Sequence, residues 1–256
     1  MLARKATSYL PGIAWAANDT ISRGLGRLRG LLSPKSRNFR KTPMFLGQLA
    51  PSTLEELRML ILNAPEAEFK ADDHAEGYEF NPNSDVVESI FKAGYHFRDL
   101  GTAQVRAISR AVREMAPDIT AHLGSSWRVI NVKSWSVRSD TVQQGPNAWH
   151  LDGFPVGTFK VMVYLTPIGK ATGTTEIRLA DDSTTILEGG SGTYLLFDPS
   201  VIWHRGVAPT EAATERTHIE ITLMRSAATD LRYAHGGLNS AYPRLPWARR
   251  PIYPAD

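Results

Sequence analysis

Residues 127–137 read Trp-Arg-Val-Ile-Asn-Val-Lys-Ser-Trp-Ser-Val. Trp127, Val129, Asn131, Lys133, Trp135 and Val137 alternate with Arg128, Ile130, Val132, Ser134 and Ser136, the period of two that a half-buried strand requires. The same texture recurs at 159–166 (FKVMVYLT), 174–179, 184–188, 192–197 (GTYLLF) and 217–224 (THIEITLM), with Gly, Pro, Asp and Ser between the runs. Several short strands crowded into one half of a chain predict a β-sandwich, jelly roll or barrel with helices packed outside.

Upstream the period changes. Ser52 and Thr53 precede Glu55 and Glu56 in a capping-box pattern, and Leu54, Leu57, Leu60 and Ile61 then form an apolar face, which predicts a helix over 53–63 stopped by Pro65. Residues 66–84 read as an acidic loop, and Asp85 caps a short helix that ends at Gly94. Val105, Ile108, Val112 and Met115 mark a helix over 102–115, with Pro117 as its terminator. The expected organisation is a basic amphipathic segment at 1–45 and one domain over 46–256. That domain comprises helical support at 50–125, a β core at 126–225 and a tail at 226–256.

Composition narrows the chemistry. The 256 residues are 42% hydrophobic and 21% charged, as in ordinary globular proteins. There is no cysteine, which excludes disulfides, zinc–thiolate sites, iron–sulfur clusters and cysteine nucleophiles and restricts any metal to nitrogen and oxygen ligands. The absence of cysteine suits a cytoplasmic protein, and no apolar run reaches the length of a membrane span. The net charge of +3 conceals an asymmetry: residues 1–41 hold nine Lys or Arg against Asp19 alone. Leu10, Ile13, Ala17, Ile21, Leu25, Leu28 and Leu32 form a helical face within that arm. Such a helix either lies on an anionic membrane surface or packs against the body; no nucleic-acid partner is expected.

The chemistry-bearing residues fall in the strand-rich half. Asn147-Ala148-Trp149-His150-Leu151-Asp152-Gly153 contains a His-x-Asp, and residues two apart on a strand reach one ion from the same face. His204 follows in Val201-Ile202-Trp203-His204-Arg205-Gly206, and Arg216 stands at the start of the strand 217–224. Two imidazoles and one carboxylate on one face of an ion form the triad of non-haem iron(II) oxygenases, leaving positions open for a chelating keto acid and dioxygen. Arg216 offers a bidentate fork for a carboxylate.

On these residues the stretch 128–225 resembles the iron(II)- and 2-oxoglutarate-dependent oxygenases, nearest to the phytanoyl-CoA dioxygenase-like group. The resemblance rests on Trp-His-x-Asp-Gly at 149–153, the apolar strand 161–165, Gly173-Thr174-Thr175-Glu176-Ile177, and residues 192–197 leading to His204 and Arg216. It implies an α+β protein with a double-stranded β-helix (jelly-roll or cupin-like) core and helices outside, mainly N-terminal. It further implies Fe(II), 2-oxoglutarate and O2 as cofactors, His150, Asp152 and His204 as iron ligands, and Arg216 on the distal carboxylate of 2-oxoglutarate. Asn131, Lys133, Ser134 and Thr175 are candidates for further co-substrate contacts, and His218 is placed to share the face of Arg216. The segment Thr166-Pro167-Ile168-Gly169-Lys170-Ala171-Thr172-Gly173 departs from the longer Gly-rich stretch ending in Pro-Gly-Ser-His that is usual in the group. Asp152 itself argues against a halogenase, in which that carboxylate is missing. The implied reaction is hydroxylation of a small or carrier-linked substrate, with Lys160, Arg178 and Arg205 near the mouth suiting an anionic one. A cupin-like ligand-binding module without redox activity is the alternative.

Overall fold

The computed structural model describes residues 44–66, 95–141, 147–152, 158–179, 182–212 and 214–226. The basic arm, the short helix expected from Asp85 and the tail beyond 226 lie outside the described residues.

Helix α1 (Pro51–Leu62) starts two residues earlier than its pattern suggests, because Pro51 occupies the first turn, where its missing N–H costs nothing. The expected capping box is not made. Glu114 of helix α2 (Thr102–Leu123) caps α1 from the side instead, accepting from the Ala50 amide at 2.6 Å and the Thr53 hydroxyl at 2.5 Å. Pro117 does not end α2 but sits inside it, and the helix runs on to Gly124, a left-handed C-cap at φ 62° whose amide reaches Thr120. The continuation has a cause: Val105, Ile108, Val112, Met115, Ile119 and Leu123 form one unbroken buried stripe. Burying Ile119 and Leu123 yields roughly 1.5–3 kcal/mol each, enough to offset the roughly 3 kcal/mol an interior proline costs.

The strands form two sheets. The larger has the order β1-β7-β4-β9-β3-β2, from β1 (Met44–Gln48), β7 (Thr193–Phe197), β4 (Thr158–Tyr164), β9 (Glu215–Arg225), β3 (Trp127–Arg138) and β2 (His96–Phe97). The smaller has the order β6-β5-β8, from β6 (Thr184–Ile186), β5 (Thr174–Arg178) and β8 (His204–Val207). All pairings are antiparallel, and together they make a jelly-roll sandwich with the helices on the outer face of the larger sheet. Strands β1, β2 and β8 carry no clear alternation; β1 and β2 enter from outside 126–225 and form the edges of the larger sheet. Two cores result. One joins α1 and α2 to the sheet through Phe159, Val161, Val163, Leu196, Ile219, Ile221 and Leu223; the other lies between the sheets around Trp135, Met162, Tyr164, Ile177, Leu195 and Phe197.

Strand β3 does not keep the even alternation of its sequence. Val129 pairs with Leu223, but the next pair is Asn131 with Thr222, so Ile130 is an extra residue in a β-bulge. Trp127 and Val129 therefore join the helix-side core, whereas Trp135 and Val137 join the inter-sheet core. At the start of β5, Gly173 has φ +80°, and a Cβ there would lie 2.8 Å from both Pro209 N and Val207 O. Only glycine fits that approach.

Candidate metal centre

His150 and His204 are held opposite each other by paired backbone bonds, His150 N–H to His204 O at 3.0 Å and His204 N–H to His150 O at 3.1 Å. The Asp152 amide donates to Pro199 O at 2.8 Å, which fixes the carboxylate two residues along on the same face. One ligand atom from each of His150, Asp152 and His204 lies within 4.8 Å of the others. Each histidine turns its Nδ1 to a backbone carbonyl two residues back, His150 to Ala148 O at 2.8 Å and His204 to Ile202 O at 2.9 Å. Both Nδ1–H groups therefore donate, and both Nε2 lone pairs face the centre, as metal ligation requires. Burial first, and then Lys160 nearby, hold the His204 imidazole neutral, with its pKa lowered to about 4. Two imidazoles and a carboxylate form a donor set that fits iron(II) and other nitrogen/oxygen-loving divalent ions.

The wall of the cavity is the inner face of the larger sheet. Arg216, His218, Glu220 and Thr222 alternate along β9 and are all buried. Val137, Trp135, Lys133 and Asn131 of β3 stand opposite them in that order. On the other flank, Tyr164 of β4 faces His218, Met162 faces Glu220, and Lys160 faces Thr222. Lys160 is also buried; its Nζ lies 2.6 Å from Asp152 Oδ2 and 3.0 Å from Glu220 Oε2, while Lys133 Nζ lies 3.2 Å from Glu220 Oε1. Burial alone would raise the Glu220 carboxyl, but the two ammonium groups prevail and hold it at about 2.

At the far end stands Arg216, 3% exposed. Its Nη1 donates to Thr174 O, its Nε has no partner, and among the described residues no carboxylate forms an ion pair with it. Tyr95 Oη, Trp135 Nε1 and both ring nitrogens of His218 line the same cavity, buried and without hydrogen-bond partners among the described residues. Burial, followed by the Arg216 charge, keeps His218 neutral. Buried donors are seldom left unsatisfied, so this cluster calls for an acceptor-rich ligand. Its charge and shape suit a carboxylate.

The expected site residues are therefore brought together unevenly. His150, Asp152, His204, Arg216, Thr175 and His218 all border the cavity or its candidate metal corner, with Thr175 accepting from the Tyr164 hydroxyl at 2.7 Å. Lys133 is occupied by Glu220, and Asn131 sits one rung further along, opposite Thr222. Ser134 faces the other way and donates to His218 O. Lys160, Arg178 and Arg205 do not share one mouth. Lys160 is inside, whereas Arg178 and Arg205 stack on the Trp149 ring at 4.8 and 4.9 Å, and Arg205 pairs with Glu176. Glu220 and Tyr95 were not singled out in the sequence. The alternation of His218 and Glu220 with Ile219 and Ile221 was the available signal for Glu220.

No protein-family profile matches the chain, and no curated protein matches it. Among solved structures it is similar to the non-haem α-ketoglutarate-dependent epimerase SnoN from nogalamycin biosynthesis, at 14% identity and a TM-score of 0.53, over 85% of this chain and 90% of that one. SnoN in complex with Fe3+, α-ketoglutarate and nogalamycin RO gives 12% identity and a TM-score of 0.50, over 76% of this chain and 84% of that one. At these identities the likeness establishes a shared fold.

Proposed function

We propose that this chain is a non-haem iron(II) enzyme that consumes 2-oxoglutarate and O2 to hydroxylate an aliphatic C–H bond of a small or carrier-linked substrate, with release of succinate and CO2. The observation that carries this reading is the buried Arg216, which pairs with no carboxylate among the described residues, set with the Tyr95, Trp135 and His218 donors that have no partner there, in the cavity that His150 and His204 border. A dicarboxylate with a chelating keto-acid end answers both requirements at once. The fold shared with SnoN, solved with Fe3+ and α-ketoglutarate, supports the same reading.

His150, Asp152 and His204 would hold the iron, which when bound supplies the oxidative chemistry: 2-oxoglutarate, O2 and R–H give succinate, CO2 and R–OH. The residues of this chain bind, orient and exclude water. Arg216 anchors the distal carboxylate, and the neutral His218, Trp135 and Tyr95 donate along the co-substrate. Phe197, its ring 4.9 Å from that of His204, with Met162 keeps the metal corner apolar on one side. SnoN is an epimerase, so the same scaffold serves outcomes other than hydroxylation. The Trp-His-x-Asp-Gly motif is the reason for placing this chain with the phytanoyl-CoA dioxygenase-like hydroxylases. Residues 1–41 would bring the enzyme to an anionic membrane surface from the cytoplasm; no helix among the described residues is long and apolar enough to cross one.

The test is an anaerobic titration of metal-free protein with Fe(II) and 2-oxoglutarate, monitored for the visible charge-transfer band of a chelated keto acid. The band should form in the wild type and vanish in His204→Ala. A folded wild type that binds Fe(II) without developing the band would refute the assignment and leave a ligand-binding module.

A further inference from the structure

The strand register leaves Lys160 in a position that anion binding at a mouth does not explain. Its ammonium is buried between two carboxylates, Asp152 Oδ2 at 2.6 Å and Glu220 Oε2 at 3.0 Å. Asp152 presents its other oxygen to the histidines: Oδ1 is 3.5 Å from His150 Nε2. The two oxygens of one carboxylate thus have different neighbours, one a fixed cation and the other the metal corner. Lys160 cannot easily swing away, because Glu220 holds it and is itself held from the opposite side by Lys133 at 3.2 Å.

We infer that Lys160 is a positioning residue that caps Oδ2 of Asp152, so that the carboxylate offers a single oxygen, Oδ1, to the ion. A free carboxylate can ligate through one oxygen or two. Two-oxygen binding would occupy a fourth position of the octahedron, one of the three that a chelating keto acid and dioxygen need. An ammonium 2.6 Å from Oδ2 draws on the lone pairs that chelation would use. The arrangement carries an electrostatic penalty, since a cation near a divalent ion opposes its binding. Glu220 offsets that penalty and fixes the direction of the ammonium. Lys160 therefore does not raise metal affinity; it preserves the open positions. Outer partners of metal ligands generally act in this orienting way. The inference rests on the metal and co-substrate assignment proposed above.

The test separates metal binding from co-substrate binding. Free Mn(II) is measured by electron paramagnetic resonance during titration of metal-free protein. 2-Oxoglutarate is then titrated calorimetrically into the Mn(II)-loaded form, for wild type, Lys160→Met and Lys160→Gln. The inference expects Lys160→Met to bind Mn(II) at least as tightly as wild type and 2-oxoglutarate at least about tenfold more weakly. Lys160→Gln keeps a donor without the charge and should restore most of the 2-oxoglutarate affinity. A glutamine variant as weak as the methionine variant would show that only charge matters and would overturn the cap. So would Mn(II) affinity lost in both variants with 2-oxoglutarate binding intact. Isotope-edited infrared difference spectra of wild-type protein carrying 13C-aspartate, with and without Mn(II), need no variant to fold. A wide separation of the two carboxylate stretches marks one-oxygen ligation, and a narrow separation refutes the proposal directly. Wild-type protein that binds neither Mn(II) nor 2-oxoglutarate would instead refute the reading of the site itself.

Discussion

Replacing Arg216 with methionine should make the protein more stable and its co-substrate binding far weaker. The guanidinium is 3% exposed, is bonded to Thr174 O, leaves Nε without a partner and forms no carboxylate ion pair among the described residues. Burial accordingly pulls its pKa down from the ordinary arginine value. Removing the group forfeits one charged hydrogen bond, about 1.5–3 kcal/mol. It also relieves the burial of an uncompensated charge, which costs several kcal/mol. The net expected gain is about 1–2 kcal/mol, or about 2–8 °C in Tm for a domain of this size. The same change leaves the distal carboxylate of 2-oxoglutarate without its cation. Losing one partner of a buried charge pair costs about 2–5 kcal/mol, a weakening of roughly 30-fold to several thousandfold. Differential scanning calorimetry of ligand-free protein reads the first effect, and calorimetric titration of 2-oxoglutarate into Mn(II)-loaded protein reads the second. A variant with a lower Tm and unchanged 2-oxoglutarate affinity would refute the reasoning, since Arg216 would then be an ordinary structural arginine.

Metal-free protein should lose stability as pH falls from about 6.5 to about 4, since His204 titrates near 4 when folded and near 6.5 when unfolded. In that window the unfolded chain binds more protons, so stability falls with pH, by about 3 kcal/mol over the whole range. Urea melts at pH 7, 5.5 and 4.5 should show this, with a shallower fall in His204→Gln; a flat profile would contradict the burial of that imidazole. Below pH 4.5 the loss should continue, because Glu220 keeps its charge down to about 2 in the folded state. Gly173→Ala should destabilise by more than about 2 kcal/mol, since both its φ and the backbone 2.8 Å away resist a Cβ, and thermal melts will read it. Glu114→Ala removes both contacts that cap the N-terminus of α1 and should lower Tm by the equivalent of about 1–2 kcal/mol.

The parts of the site that could be read from the sequence are those set by local geometry. His150 and Asp152 are two apart on one extended segment, so their common face follows from the chain alone. His204 and Arg216 were legible because the strand pattern between them closes one sandwich. Contacts made across strands were not. Whether Lys160 meets Asp152, Glu220 or solvent depends on a register that β4 shares with β9, and no local pattern encodes it. Arg178 and Arg205 look like free cations in sequence but stack on Trp149 once β5 and β8 pair. The helices show the same division. The apolar stripe of α2 outweighs Pro117, and the cap of α1 comes from Glu114, about sixty positions away, where a local search sees only Glu55 and Glu56.

The extra residue at Ile130 gives one strand two interiors to serve. Before it, Trp127 and Val129 are part of the wall against the helices; after it, Lys133 and Trp135 are part of the wall around the cavity. Without that residue the same amino acids would be dealt to the wrong rooms. Ser134 and Ser136 would look into the chamber, Lys133 would press against apolar helix, and Glu220 would lose a counter-ion. The offset works as a hinge in the wallpaper of the sheet. It allows the residues before it to vary for packing and the residues after it to vary around the cavity, each without disturbing the other.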